Sequence, residues 1–222
     1  MTVITMSRQF GSGAAEIANK LCQALGLVAF DKRLIAQVAH EIGLSDQEIV
    51  DYSEDHYKQR GFFDLLFRRS RTITEVSSWT GGGLSGYERQ TLTLDEEHAI
   101  RLVRSAILAA YERDNVLIVG RGGQAILENK PGVLHVRVVA PFEQRVQRVM
   151  QEQGVSPAQA RRLLQEHDEA TRQYLRQFHH VDVDDPTLYD IVVNTARLSA
   201  DQCVELIKAA AQAMAQAPAE SA

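Results

Sequence analysis

The sequence predicts an α/β domain, a mainly parallel sheet with helices on both faces. Three observations carry that expectation. Val116–Val119 is a continuous apolar run, the mark of a strand buried on both sides. Val133–Val139 and Ile191–Asn194 are further strand-like segments. Between them apolar residues recur at helical spacing, as at Ile100, Val103, Ile107 and Tyr111, or Ile17, Leu21 and Leu25. Strands alternating with helices give layered α/β architecture, and ligands in such folds sit at the carboxyl ends of the strands.

Taken in order, Val3, Ile4 and Met6 form a short buried strand, and a glycine-containing loop follows. A helix is expected from about Ala14, on the spacing of Ile17, Ala18, Leu21 and Leu25. Strand, glycine turn and helix N-terminus together make an anion site. Gly11 and Gly13 let backbone N–H groups approach a phosphate, and the helix start presents unpaired donors and a positive dipole end. The phosphate-loop pattern G-x-x-x-x-G-K-[ST] adds a lysine and a magnesium-binding hydroxyl. Here Ala14 and Ala15 stand in those two places.

A short apolar segment ends in Asp31, which either caps the next helix (Leu34, Ile35, Val38, Ile42) or serves a ligand. Ser45 and Glu48 read as a capping box. From 51 to 95 the composition changes to mixed aromatics and arginines, then to a glycine-rich run at 77–86, as in an inserted helical flap with a mobile loop. The Phe/Leu cluster at 61–67 packs onto the core or a homodimer partner, or else forms a membrane-touching amphipathic helix. After the helix at 95–113 and the strand at 116–119, Arg121 sits between glycines at the strand end. It makes either a salt bridge, with Asp31 as partner, or a bidentate phosphate contact.

His135 and Arg137 interrupt the strand at 133–139, and a helix through Val146 and Met150 follows. Ser156 and Pro157 open a second, charge-rich helix towards Phe178. On it Asp168, Arg172 and Arg176 share a face, as a solvated charged surface or as a lid that brings arginines onto a transferred phosphate. His179 and His180 lack ligand spacing and read as a surface pair. Asp184 and Asp185 precede Pro186 and cap or turn the chain before the last strand at 191–194 and a closing helix at 200–214.

The 222 residues are 45% hydrophobic and carry a net charge of −5, which argues against nucleic acid as a general partner. Arginines do cluster locally, at 60–71 and at 161–176. Two cysteines, Cys22 and Cys203, fall in apolar helical patterns and read as buried free thiols. With no signal peptide and no long apolar run, the expected location is the cytoplasm, without a membrane partner.

Several motifs together resemble the cytidylate-kinase-like family of phosphate-loop proteins. They are Ser7-Arg8-Gln9-Phe10-Gly11-Ser12-Gly13 with Glu16-Ile17, Asp31-Lys32-Arg33-Leu34-Ile35, Val119-Gly120-Arg121-Gly122, the segment 135–141, and Asp185-Pro186 with Tyr189-Asp190 and Val192-Val193-Asn194-Thr195. The resemblance covers the chain from Val3 to about Ile207 and is weakest in the insert. It implies a three-layer P-loop NTPase-type fold in one domain, 1–215, with a frayed tail at 216–222. The core would be 1–50, 95–150 and 182–215, the helical insert about 51–94 and the lid about 151–181.

The resemblance further implies an ATP-dependent phosphotransferase acting on CMP, dCMP or a related acceptor. Gly11, Ser12, Gly13, Ala14, Ala15 and Glu16 would bind the triphosphate, and Asp31 and Arg121 the monophosphate. Arg172 and Arg176 would close over the phosphates, and Arg8 would stand in for the missing lysine. Glu16 would reach Mg2+, directly or through water, in place of the missing hydroxyl. The sequence departs from true cytidylate kinases in lacking the lysine and in carrying Gly122 where an acid follows the strand arginine. A catalytically weak nucleotide-binding or regulatory protein with the same fold is the alternative.

Overall fold

The computed structural model describes residues 2–30 and 96–216. Asp31, the insert at 51–94, the helix starts at 32–48 and the tail beyond 216 therefore lie outside the described residues. The chain divides into two compact units, residues 1–30 with 107–222, and residues 31–106. The described part of the second unit is the beginning of one helix, Glu96–Arg113.

The first unit is built on a parallel sheet. Its strands are β1 (Val3–Arg8), β2 (Val28–Ala29), β3 (Val116–Val119), β4 (Val133–Val139) and β5 (Ile191–Asn194), in the spatial order β2-β3-β1-β4-β5. β1 lies at the centre, pairing Val3 with Val116 on one side and with Val133 on the other. Its first five residues are buried, as a strand covered on both faces must be.

The helices among the described residues are α1 (Ala14–Leu25), α2 (Glu96–Arg113), α3 (Gly123–Ile126), α4 (Phe142–Gln153), α5 (Pro157–His179) and α6 (Ala200–Gln216). α1 and α6 pack on one face of the sheet, where Ile17, Leu21, Val204 and Ile207 meet Ile4 and Val136. Both cysteines join this cluster, Cys203 fully and Cys22 in part, and burial pushes both thiols up. α4 and α5 form a hairpin around Val146, Val149, Ala160 and Leu164. α5 begins where the sequence predicts: Ser156 caps it, the Gln159 side chain completes the capping box, and Pro157 is its first residue. No helix among the described residues is long and apolar enough to cross a membrane.

Candidate functional site

The carboxyl ends of β1 and β3 are neighbours, and the loop after β3 is tied to β1: Gly120 N–H donates to Met6 O at 2.9 Å. Each loop is left-handed in backbone for a reason that its glycines supply. In the first loop Gly11 has φ 72° and Gly13 φ 79°. A Cβ on Gly11 would lie 2.9 Å from Val149 Cγ2 and 3.2 Å from Arg145 O, so the loop rests directly on α4 and only glycine fits. Gly13 is the N-cap of α1 and offers no capping side chain, which leaves the helix's first N–H groups to a ligand or solvent.

Between these glycines Ser12 is 1% exposed, and its hydroxyl has no hydrogen-bond partner among the described residues. A buried hydroxyl left unpaired is costly unless something completes it. The donor set at this turn, backbone N–H groups and a hydroxyl at a helix start, fits a phosphate group. Ala14 is 2% exposed and belongs to the sheet-face core, so its methyl is packing rather than a vestige. Ala15 is exposed.

Glu16 lies in the first turn of α1. Its carboxylate is exposed and pairs with Lys20 at 3.1 Å, and Lys20 in turn reaches Asp201 at 2.6 Å. That i,i+4 pairing lays Glu16 along the outside of α1. Among the described residues no group of three or more His, Cys, Asp or Glu could hold a metal. Arg8 itself is half-buried at the end of β1. It is close enough to His167 to add to the downward pull that burial exerts on that imidazole's pKa.

The second loop is more strained. Gly120, Arg121 and Gly122 are three consecutive left-handed residues, with φ 73°, 57° and 73°. For a non-glycine residue this costs about 1–2 kcal/mol, the kind of backbone strain that collects at functional sites. The turn sets the Arg121 guanidinium 5.3 Å from the Phe30 ring centroid. The end of α5 covers the same loop. A Cβ on Gly122 would lie 2.6 Å from His179 Nε2, and that nitrogen is 3.4 Å from Tyr174 Oη. Burial pushes the Tyr174 phenol up to about 12, against the opposing charge of Arg121, so it stays neutral. His179 is thus not half of a surface pair: it is half-buried against Gly122, in the space a side chain there would occupy, while His180 is exposed.

The arginines towards the end of α5 pair with nearby carboxylates. Arg172 contacts Asp184 at 3.3 Å and Glu169 at 3.2 Å, and Arg176 contacts Asp182 at 3.0 Å. Asp184 is shared, because its other oxygen takes the buried Arg137 at 2.8 Å. Asp185 alone does the capping expected of the pair, accepting from Thr187 N–H at 2.9 Å. Asp168 does not pair with Arg172. It faces inward and holds Arg145 by two bonds of 2.9 and 2.8 Å. Arg145 also donates to Phe10 O at 3.2 Å, and the Phe10 ring stacks on His167 at 4.1 Å. The middle of α5 is therefore fastened to the first loop through residues 10, 145, 167 and 168.

Arg145 and Arg148 were not singled out by the sequence reading, being two of several charges on a helix. The usable signal was their spacing: positions 145, 148 and 149 lie on one face of α4, the face beneath Gly11 and Gly13. Asp31 lies outside the described residues, so its distance from Arg121 is not part of this geometry.

A sequence profile described as the cytidylate kinase-like family matches residues 3–197. The chain is 28% identical over 210 residues to a cytidylate kinase of Methanopyrus kandleri, covering 94% of this chain and 92% of the relative. It is 25% identical to a cytidylate kinase of Pyrococcus horikoshii, with 94% and 87% covered. The fold matches the crystal structure of an uncharacterized protein from Eubacterium ventriosum, with TM-score 0.63, 19% identity and coverage of 96% and 99%.

Proposed function

The chain belongs to the cytidylate kinase-like family, and on that premise we propose that it transfers the γ-phosphate of ATP to a nucleoside monophosphate, CMP or dCMP first. The observation that carries this reading is the buried, unpartnered Ser12 hydroxyl, held between two left-handed glycines at the start of α1. In this reading Gly11, Ser12, Gly13 and the following helix turn bind the donor's phosphates. Arg121, with Asp31, binds the acceptor's phosphate and sugar–base side. Arg8 supplies positive charge at the end of β1, where charge develops on the transferred group.

Arg172 and Arg176 contribute once the transferred phosphate competes with Asp184 and Asp182 for them. Magnesium bound with ATP would supply neutralisation of phosphate charge. Glu16, paired with Lys20 on the exposed face of α1, would be the chain's own group to reach it on leaving that pair. The chain's own residues position the two phosphates and exclude water; little covalent chemistry falls to them.

A second reading, a nucleotide-binding protein with weak activity, is favoured by one observation. Ala14 is packed into the core where the phosphate-loop lysine would start. A coupled ADP-release assay over CMP, dCMP, UMP, AMP and GMP separates the two. Turnover that depends on the monophosphate supports the kinase. ATP binding without acceptor-dependent ADP release supports the second reading.

A further inference from the structure

We propose that Thr195 is a positioning residue for the donor-nucleotide half of the site, acting through the phosphate loop and Arg148; this deepens the phosphotransferase reading above and rests on it. Thr195 follows β5 and is fixed there because its N–H donates to Val139 O at 3.0 Å. Its hydroxyl does two things at once. It donates to Ser12 O at 2.7 Å, and it accepts from Arg148 Nη1 at 2.8 Å. Its carbonyl accepts a second bond from the same guanidinium, Arg148 Nη2, at 2.9 Å. A hydroxyl has one proton to give and lone pairs to receive, so this arrangement uses it fully.

Two consequences follow from elementary geometry. In a trans peptide the C=O and the next N–H point in opposite directions. Holding Ser12 O against Thr195 therefore turns the Gly13 N–H away from Thr195. The Ser12–Gly13 peptide is thus locked in one orientation at the start of α1, in the turn whose N–H groups are the anion donors. The second consequence concerns Arg148. Among the described residues no carboxylate pairs with it; its recorded partners are the neutral hydroxyl and carbonyl of Thr195. Its Nη1 stands 3.6 Å from where a Gly13 Cβ would be, so a full positive charge is parked on the loop–helix junction. One hydroxyl sets both the direction of a backbone donor and the place of a cation.

The test uses the full chain and two small changes, one isosteric and one that keeps the hydroxyl. Thr195→Val keeps the shape and removes both hydrogen bonds of the hydroxyl; Thr195→Ser keeps the hydroxyl. The probes are inorganic tripolyphosphate and ATP, each titrated by calorimetry, together with KM for ATP and for the monophosphate. Thr195→Val is expected to weaken tripolyphosphate and ATP about tenfold and to raise KM for ATP, because a misdirected N–H and a displaced cation each cost a charged contact. KM for the monophosphate stays within about twofold, since on the proposed reading it is held by Arg121 on the other loop. Thr195→Ser restores the donor affinity. Thr195→Ala is carried alongside, so that poor folding of the valine variant leaves a second hydroxyl-free chain to measure.

Hydroxyl-free variants that bind tripolyphosphate as the parent does would overturn the proposal. So would equal losses for donor and acceptor that track a lowered melting temperature and are not rescued by serine. A parent protein that binds neither tripolyphosphate nor ATP would overturn the phosphotransferase reading itself, and this proposal with it.

Discussion

At the scale of single residues, the two loops differ in what they demand. Gly11 is demanded twice, by its left-handed backbone and by the 2.9 Å approach of Val149. Gly11→Ala should therefore destabilise the fold by about 1–3 kcal/mol and weaken ATP binding as well, read by urea unfolding and calorimetry. An alanine variant of unchanged stability would show that the loop is not seated on α4. Arg121 is strained but not forced by space. Arg121→Asn keeps a side chain that tolerates the left-handed region and removes the guanidinium. It should cost about 2–3 kcal/mol of monophosphate binding and leave ATP binding nearly unchanged. Equal losses for both ligands would make Arg121 a general structural residue.

Two histidines add a pH dependence of definite sign. Burial lowers the pKa of His135 and of His167 from the ordinary 6.5. For each, the unfolded chain then binds more protons than the folded one between the depressed value and 6.5, so stability rises with pH across that window. Their contribution is fully present above 6.5 and is lost as pH falls through the folded values. Thermal unfolding between pH 7.5 and pH 5.5 should show the midpoint falling on acidification, and less steeply in His167→Gln. A midpoint flat over that range would mean that neither imidazole is held neutral by the fold.

At the scale of elements, the strands and helix starts were legible because their signals are local. Val116–Val119 and Val133–Val139 appear as expected, and Ser156-Pro157 announces α5 by capping chemistry alone. The function of α5 was less legible. Its periodicity puts Asp168, Arg172 and Arg176 near one face, yet Asp168 turns to Arg145 and the arginines turn to Asp182 and Asp184. Such partners lie 23, 12 and 6 residues away, and no helical period encodes them. The same holds for His179, whose place beside Gly122 depends on how α5 crosses the second loop.

The Arg145–Asp168 pair is the fastening of this element. Arg145 is 5% exposed and Asp168 15% exposed, so removing one partner leaves a charge in a largely dry place. Asp168→Ala should cost about 3–5 kcal/mol. The opening of α5 and of the loop around Phe10 should become faster together in hydrogen exchange, because both hang on Arg145. Loss confined to α5, with the loop unchanged, would show that the two are not joined through this pair.

At the scale of the whole molecule, the sheet order puts β1 between β3 and β4, so the loops after β1 and β3 are adjacent. The family's two substrates would then meet across Arg8, Ser12 and Arg121, residues far apart in sequence. The sequence could name these residues by motif; it could not show that Ser12 is buried without a partner among the described residues, because that depends on tertiary packing. On the proposed reading, Arg8 supplies the cationic help that the absent lysine would have given. Arg8→Ala should cut turnover at least about tenfold, roughly 1.4 kcal/mol of barrier, with the melting temperature nearly unchanged.

The most direct measurement is phosphorus NMR of the protein with equimolar ATP and CMP and excess magnesium. The account predicts that ADP and CDP appear together in equal amounts, with no inorganic phosphate, because a closed site transfers the group to the acceptor and not to water. Spectra that show only ADP with free phosphate, or unchanged ATP and CMP in the presence of folded protein, would contradict it.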